Sequence, residues 1–305
     1  MSIVVVGSVA FDSIETPFGR AERIIGGAAT YFSVAASFFS PVQLVGVVGS
    51  DFGDEELKVF EGREIDLTGL TRSDAGRTFF WSGEYGYDLN IASTRDTQLN
   101  VFADFKPVLP EAYRDAGVVF LANIDPELQL EVLEQVHHPR LVALDTMNYW
   151  IASKKDALTE VMKKSDLIVI NEGELRQFTD EANLVKAARR ILEIGSKIIV
   201  VKRGEYGVLM ISEKKIFAAP AYPLESVFDP TGAGDSFAGG FLGYLASCRD
   251  FDDRELRRAT VYGSVVASFV VEAFGLNRVL EIGRTDIDSR FEEFKTLTHF
   301  ESLRD

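Results

Sequence analysis

Short β-branched runs that recur between stretches of helical spacing constrain this chain more than any other feature. They fall at Ile3–Gly7, Gln43–Val48, Val118–Ala122, Leu141–Asp145, Leu167–Ile170 and Lys197–Lys202. Runs this short and continuously apolar suit strands buried on both faces, and their alternation with helices predicts an α/β fold with a mostly parallel sheet. Helices are expected at about 27–39, 54–63, 126–137, 153–164, 173–178 and 183–194. Beyond Phe217 the texture changes. Residues 235–248 and 254–273 are rich in small residues and apolar on more than one face, as buried helices are, with a polar connection between them.

Residues 77–105 break the alternation. They are rich in Thr, Phe, Tyr, Trp and Gly, with an alternating stretch at Phe80-Trp81-Ser82-Gly83-Glu84-Tyr85. The pattern predicts antiparallel strands forming a small lid over the carboxyl edge of the main sheet, where α/β proteins bind ligands; a plain edge hairpin would give the same pattern.

The 305 residues, 46% of them hydrophobic, supply one large core with a small appendage. No apolar run approaches the roughly 20 residues of a membrane-spanning helix. The opening Met1-Ser2-Ile3-Val4-Val5-Val6 reads as a first strand rather than a leader, so a cytoplasmic protein is expected. With Cys248 as the single cysteine, no intrachain disulfide or thiolate cluster can form, and His137, His138 and His299 make no metal set. A formal charge of -15 argues against nucleic acid as a partner. A nucleotide could bind only at a local anion site.

Asp229-Pro230-Thr231-Gly232-Ala233-Gly234-Asp235-Ser236-Phe237 supplies one. The chain turns there into an apolar helix, so the N–H groups of Gly232, Ala233 and Gly234 can converge on an oxyanion at the positive end of the helix dipole. Asp235 would repel that anion unless it had a task of its own, such as taking a proton from an incoming hydroxyl. A helix cap beside a tight glycine turn is the competing reading of the same residues.

Asp-Pro-Thr-Gly-Ala-Gly-Asp closely resembles the second signature of the ribokinase-like (PfkB-type) carbohydrate and nucleoside kinases. Asp12, Gly26-Gly27, Asn171-x-x-Glu174, Gly204-x-x-Gly207 and this signature follow one another in that family's order. The resemblance covers nearly the whole chain. It implies a three-layer α/β/α fold over residues 1–305 as a single kinase domain, with a small antiparallel lid formed by about 77–105 and part of 12–25.

The resemblance also implies roles. Asp235 becomes the catalytic base, and Gly232, Ala233 and Gly234 the anion hole. Asn171 and Glu174 organise magnesium and its waters, although their spacing equally makes a capping box. The turn after Lys202, with Gly204 and Gly207, borders ATP. Asp12, closing the first strand, and Gly26-Gly27 hold the sugar. Tyr31 stands where many relatives place a sugar-binding asparagine, so the substrate cannot be copied from ribokinase. The main chain around Asp229 and Thr231 matches a monovalent-cation site, so potassium activation is expected. From the residues themselves, Phe79, Phe80, Trp81, Tyr85 and Tyr87 in the lid favour a nucleoside over a free sugar if their rings stack on a base; the same aromatics serve equally well as lid core. Lid strands pair between subunits in relatives, which implies a homodimer.

Other classes fit less well. Val6-Gly7-Ser8-Val9-Ala10-Phe11 lacks the Gly-x-Gly-x-x-Gly turn of dinucleotide enzymes, and no Gly-x-x-x-x-Gly-Lys-[Ser/Thr] loop occurs. The remaining rival is a binding or regulatory protein that keeps the fold without the chemistry.

Overall fold

The structure, a computed structural model, describes residues 1–301. Its strands are β1 (Ile3–Val6), β2 (Ala10–Thr16), β3 (Gly19–Gly26), β4 (Val42–Val48), β5 (Ile65–Arg72), β6 (Phe79–Tyr85), β7 (Ala92–Gln98), β8 (Val118–Leu121), β9 (Leu141–Asp145), β10 (Leu167–Asn171), β11 (Ile198–Lys202), β12 (Val208–Ser212) and β13 (Ile216–Ala219). Nine of them build one sheet in the order β13-β12-β11-β10-β9-β8-β1-β4-β5. It is parallel from β11 to β5; β12 alone runs against it, and β13, antiparallel to β12, returns to the common direction.

Helices cover both faces. They are α1 (Ala28–Ala36), α2 (Asp54–Leu57), α3 (Pro126–Leu133), α4 (Asn148–Ser153), α5 (Lys155–Lys164), α6 (Glu172–Thr179), α7 (Leu184–Ile194), α8 (Ala233–Ser247), α9 (Asp253–Val270), α10 (Asn277–Glu281) and α11 (Arg284–Thr298). Successive strand residues point to opposite faces. Ile3 and Val5 of β1 therefore enter the core under α1, α8 and α9, while Val4 and Val6 enter the core under α3, α5 and α7. The central strands β1, β4, β8, β9, β10 and β11 are covered on both faces, which is why they read as apolar runs.

Two packing features place the functional end. The strand register sets Asn171 beside Lys202, with Asp145 at the end of the next strand, all on the carboxyl edge. Gly239 and Gly243 of α8 lie against the α1 backbone at Phe32 and Ala36, where side chains would not fit. That close approach brings the start of α8 beside the start of α1.

The second sheet, β3-β2-β6-β7, is the lid. Its outer pairs β2/β3 and β6/β7 are antiparallel as expected, and they join through a parallel β2/β6 pair. Asp12 requires a correction. It does not close the first strand, because Gly7, Ser8 and Val9 break the run: Ser8 Oγ accepts the Ala28 N–H at 3.0 Å, and the chain climbs into β2 with Asp12 as its third residue. The helix expected over 54–63 is one turn followed by a 3-10 turn at Lys58–Phe60. Strands β5, β12 and β13 and helix α11 had no counterpart in the sequence reading.

Candidate active site

The loop from Asp229 to Asp235 is folded by its own hydrogen bonds. Asp229 is fully buried; its Oδ1 accepts the Thr231 N–H at 2.9 Å and its Oδ2 the Gly275 N–H at 2.9 Å. Gly232 takes φ 74°, a left-handed conformation that a side chain resists, and a Cβ there would collide with the Tyr31 ring. The Ala233 N–H is committed to the Pro230 carbonyl at 3.2 Å. This corrects the expectation of three convergent amides: Gly232 and Gly234 keep N–H groups without an acceptor among the described residues, and Ala233 shapes the turn.

Asp235 is the third residue of α8. Burial pushes its carboxyl up to about 7, the Asp145 charge adds to the rise, and Lys202 opposes it. A carboxyl with such a pKa can accept a proton near neutral pH. Lys202 Nζ lies 2.8 Å from Asp145 Oδ2 and 3.0 Å from the position a Cβ would take at Gly234. Burial works against the Lys202 ammonium, yet Asp145, Glu174 and Asp235 around it hold its pKa above the ordinary lysine value.

Asn171 and Glu174 form a reciprocal capping box at the start of α6. Asn171 Oδ1 accepts the Glu174 N–H at 2.8 Å, and Glu174 Oε2 accepts the Asn171 N–H at 3.1 Å. Burial raises Glu174 to about 7, with Lys202 opposing and Asp145 adding. Gly204 and Gly207 occupy positive φ, 54° and 84°, in the turn after β11, and Asn90 of the lid lies directly against Gly204.

On the acceptor side Asp12 is 5% exposed. Burial, followed by the charges of Asp229 and Asp235, pushes it up to about 7, against a Gly27 N–H bond that lowers it. Its carboxylate packs onto Gly26, where a Cβ would collide with it. Gly27 takes φ 94° at the start of α1. Tyr31 is 1% exposed, and its hydroxyl has no hydrogen-bond partner among the described residues. Burial and then Asp12, Asp229 and Asp235 drive its pKa well above the ordinary tyrosine value.

The lid is closed on this loop. Thr231 Oγ1 donates to the Tyr85 hydroxyl at 3.2 Å, and Thr16 Oγ1 donates to the Phe228 carbonyl at 2.9 Å. The structure thus gathers Asp12, Tyr31, Asp229, Thr231, Gly232 and Asp235 on one side of the α8 start, and Glu174 and Lys202 on the other. Gly204 lies at the rim.

Asp145 and Tyr85 complete the constellation. The sequence reading did not single out Asp145; a carboxylate ending the apolar run Leu141–Asp145 is the signal that could have found it. Tyr85 was visible only as one lid aromatic among several.

A doubly covered, mostly parallel sheet with a small second sheet over its carboxyl edge is the ribokinase fold, and the relatives that share it are small-molecule kinases. The model of the pfkB family carbohydrate kinases matches residues 2–282, and the chain belongs to that family. It is 32% identical over 260 residues to the cytidine kinase of Thermococcus kodakarensis, covering 83% of this chain and 91% of that one. It is 31% identical over 272 residues to the nucleoside kinase of Methanocaldococcus jannaschii, covering 86% and 83%. The crystal structure of the M. jannaschii nucleoside kinase, an archaeal member of the ribokinase family, superposes with a TM-score of 0.77 at 23% identity over 96% of this chain and 98% of that one. Among the described residues no helix is long and apolar enough to cross a membrane.

Proposed function

We propose that this kinase transfers the γ-phosphoryl group of ATP to a sugar hydroxyl of a nucleoside, with Asp235 as the general base. The observation that carries this reading is the Asp235 carboxyl, raised to about 7 beside the free Gly232 and Gly234 amides. Asp12, across from it, accepts hydrogen bonds from ring hydroxyls and orients the acceptor. Gly27 and the Tyr31 hydroxyl bound the same space.

Asp235 then takes the acceptor proton as its oxygen attacks phosphorus in line. The two amides and the α8 dipole hold the charge spread over the phosphoryl oxygens, and Lys202 Nζ adds positive charge beside Gly234. The turn from Gly204 to Gly207 borders the nucleotide, and the lid excludes water.

Magnesium bound with the nucleotide would neutralise phosphate charge. Glu174 fits that ion, since its Oε1 takes no part in the capping box and Asn171 fixes its other oxygen. Potassium fits the Asp229–Thr231 loop: Asp229 is buried without a cationic partner among the described residues, and burial raises its pKa.

Residues 1–305 act as one catalytic unit in this reading. Strand β7, exposed along its whole length, is the edge through which two lids would pair in a homodimer. The nucleoside acceptor is favoured by lid aromatics on the acceptor face and by the likeness to two nucleoside-acting kinases.

The test is ADP release with magnesium-ATP across nucleosides, ribose, fructose, other hexoses and inositols, with the phosphoester product identified by phosphorus NMR. Turnover of a nucleoside supports the reading; ATP bound without turnover of any acceptor would point to a regulatory binding protein.

A further inference from the structure

The ceiling of the acceptor space carries one indole whose surroundings fix its orientation. Strands β2 and β6 pair in parallel with Asp12 opposite Trp81 and Ile14 opposite Gly83. Side chains alternate along a strand, so Trp81, Gly83 and Tyr85 share one face of the lid with Asp12. That face looks into the site: Tyr85 reaches Thr231 at one end, and at the other Asp12 lies in the field of Asp229 and Asp235.

The indole lies flat along this ceiling. It covers Gly83 so closely that a Cβ there would collide with its six-membered ring, and Nε1 donates to Thr94 Oγ1 at 3.2 Å. One π face and the polar edge are thereby used within the lid. The other rings are otherwise engaged: Phe79 stacks on Phe102 at 5.3 Å, Phe80 packs into the main core, and Tyr87 is 90% exposed at the lid tip. Trp81 stacks on no other ring among the described residues.

We propose that Trp81 is the platform on which the acceptor's base stacks, and that it sets the preference for a nucleoside over a free sugar. This rests on the reading that Asp12 holds the acceptor's sugar. With that sugar under Asp12, a base attached to it falls beneath the neighbouring residue on β6. Every nucleobase presents a π face, so the platform selects for a base without choosing which one.

Trp81 and Trp150 are the only tryptophans. In a Trp150→Phe background, Trp81 emission is expected to be quenched saturably by a pyrimidine or a purine nucleoside and left unchanged by ribose. Trp81→Leu should raise the nucleoside KM on the order of 10- to 100-fold, and Trp81→Phe should retain most of the affinity. Gly83→Ala, which keeps Trp81 but lifts it from its seat, should also raise that KM. Quenching by ribose as strong as by nucleosides, or a Trp81→Leu KM unchanged for nucleosides, would overturn the proposal. A wild type that phosphorylates only free sugars would overturn it too. If no acceptor is phosphorylated at all, the kinase reading fails, while the fluorescence titration still decides the role of Trp81.

Discussion

Lys202 Nζ and Asp145 Oδ2 lie 2.8 Å apart with their side chains 18% and 4% exposed, and both charges act on the Asp235 carboxyl. Asp145 raises the Asp235 pKa and Lys202 lowers it. In the proposed mechanism Asp235 works deprotonated, so wild-type kcat/KM should rise with pH through about 7. Asp145→Asn removes the charge that raises Asp235 and frees Lys202 to lower it further. The rising limb of the pH profile should move to lower pH; a limb that stays in place would show that the pair does not act on Asp235.

The same burial gives the fold a pH dependence. Asp12, Glu174 and Asp235 are each raised to about 7. A carboxyl with a folded pKa above its unfolded value binds its proton more tightly in the fold, so its contribution is favourable at low pH and is lost as pH rises to about 7. Asp12→Asn should therefore stabilise the protein at pH 8 by about 1–3 kcal/mol, and by less at pH 5. Urea melts at both pH values check this; no gain at pH 8 would contradict it.

Much of this was legible in the sequence. The parallel strands announced themselves because both faces are buried, and the α8 start because glycines beside an aspartate at a helix start have few purely structural uses. The pairing of Asp145 with Lys202 was not legible, since only the register of β9, β10 and β11 brings them together across 57 positions. Strand β5 was missed because Gly69 and exposed polar residues interrupt its apolar pattern. The parallel β2/β6 pair joins segments on either side of α1, and strand pattern alone carries no information about such partners.

Tyr85 ties the lid to the Asp229–Asp235 loop through Thr231. Tyr85→Phe should raise the acceptor KM roughly 3- to 10-fold with little change in thermal stability, the worth of one hydrogen bond made on closure. An unchanged KM would mean that the contact does not hold the lid.

A cation beside the buried Asp229 carboxylate would rigidify the loop that carries Gly232. Turnover should therefore be faster in potassium than in sodium at equal ionic strength. Equal rates in the two salts would remove the Asp229–Thr231 loop as a monovalent-cation site.

The most direct test of the central claim is Asp235→Asn, with folding checked by circular dichroism and ATP affinity by calorimetry. The base reading predicts a fall in kcat on the order of 10²–10⁴ with ATP still bound; near wild-type turnover in the folded variant would contradict it.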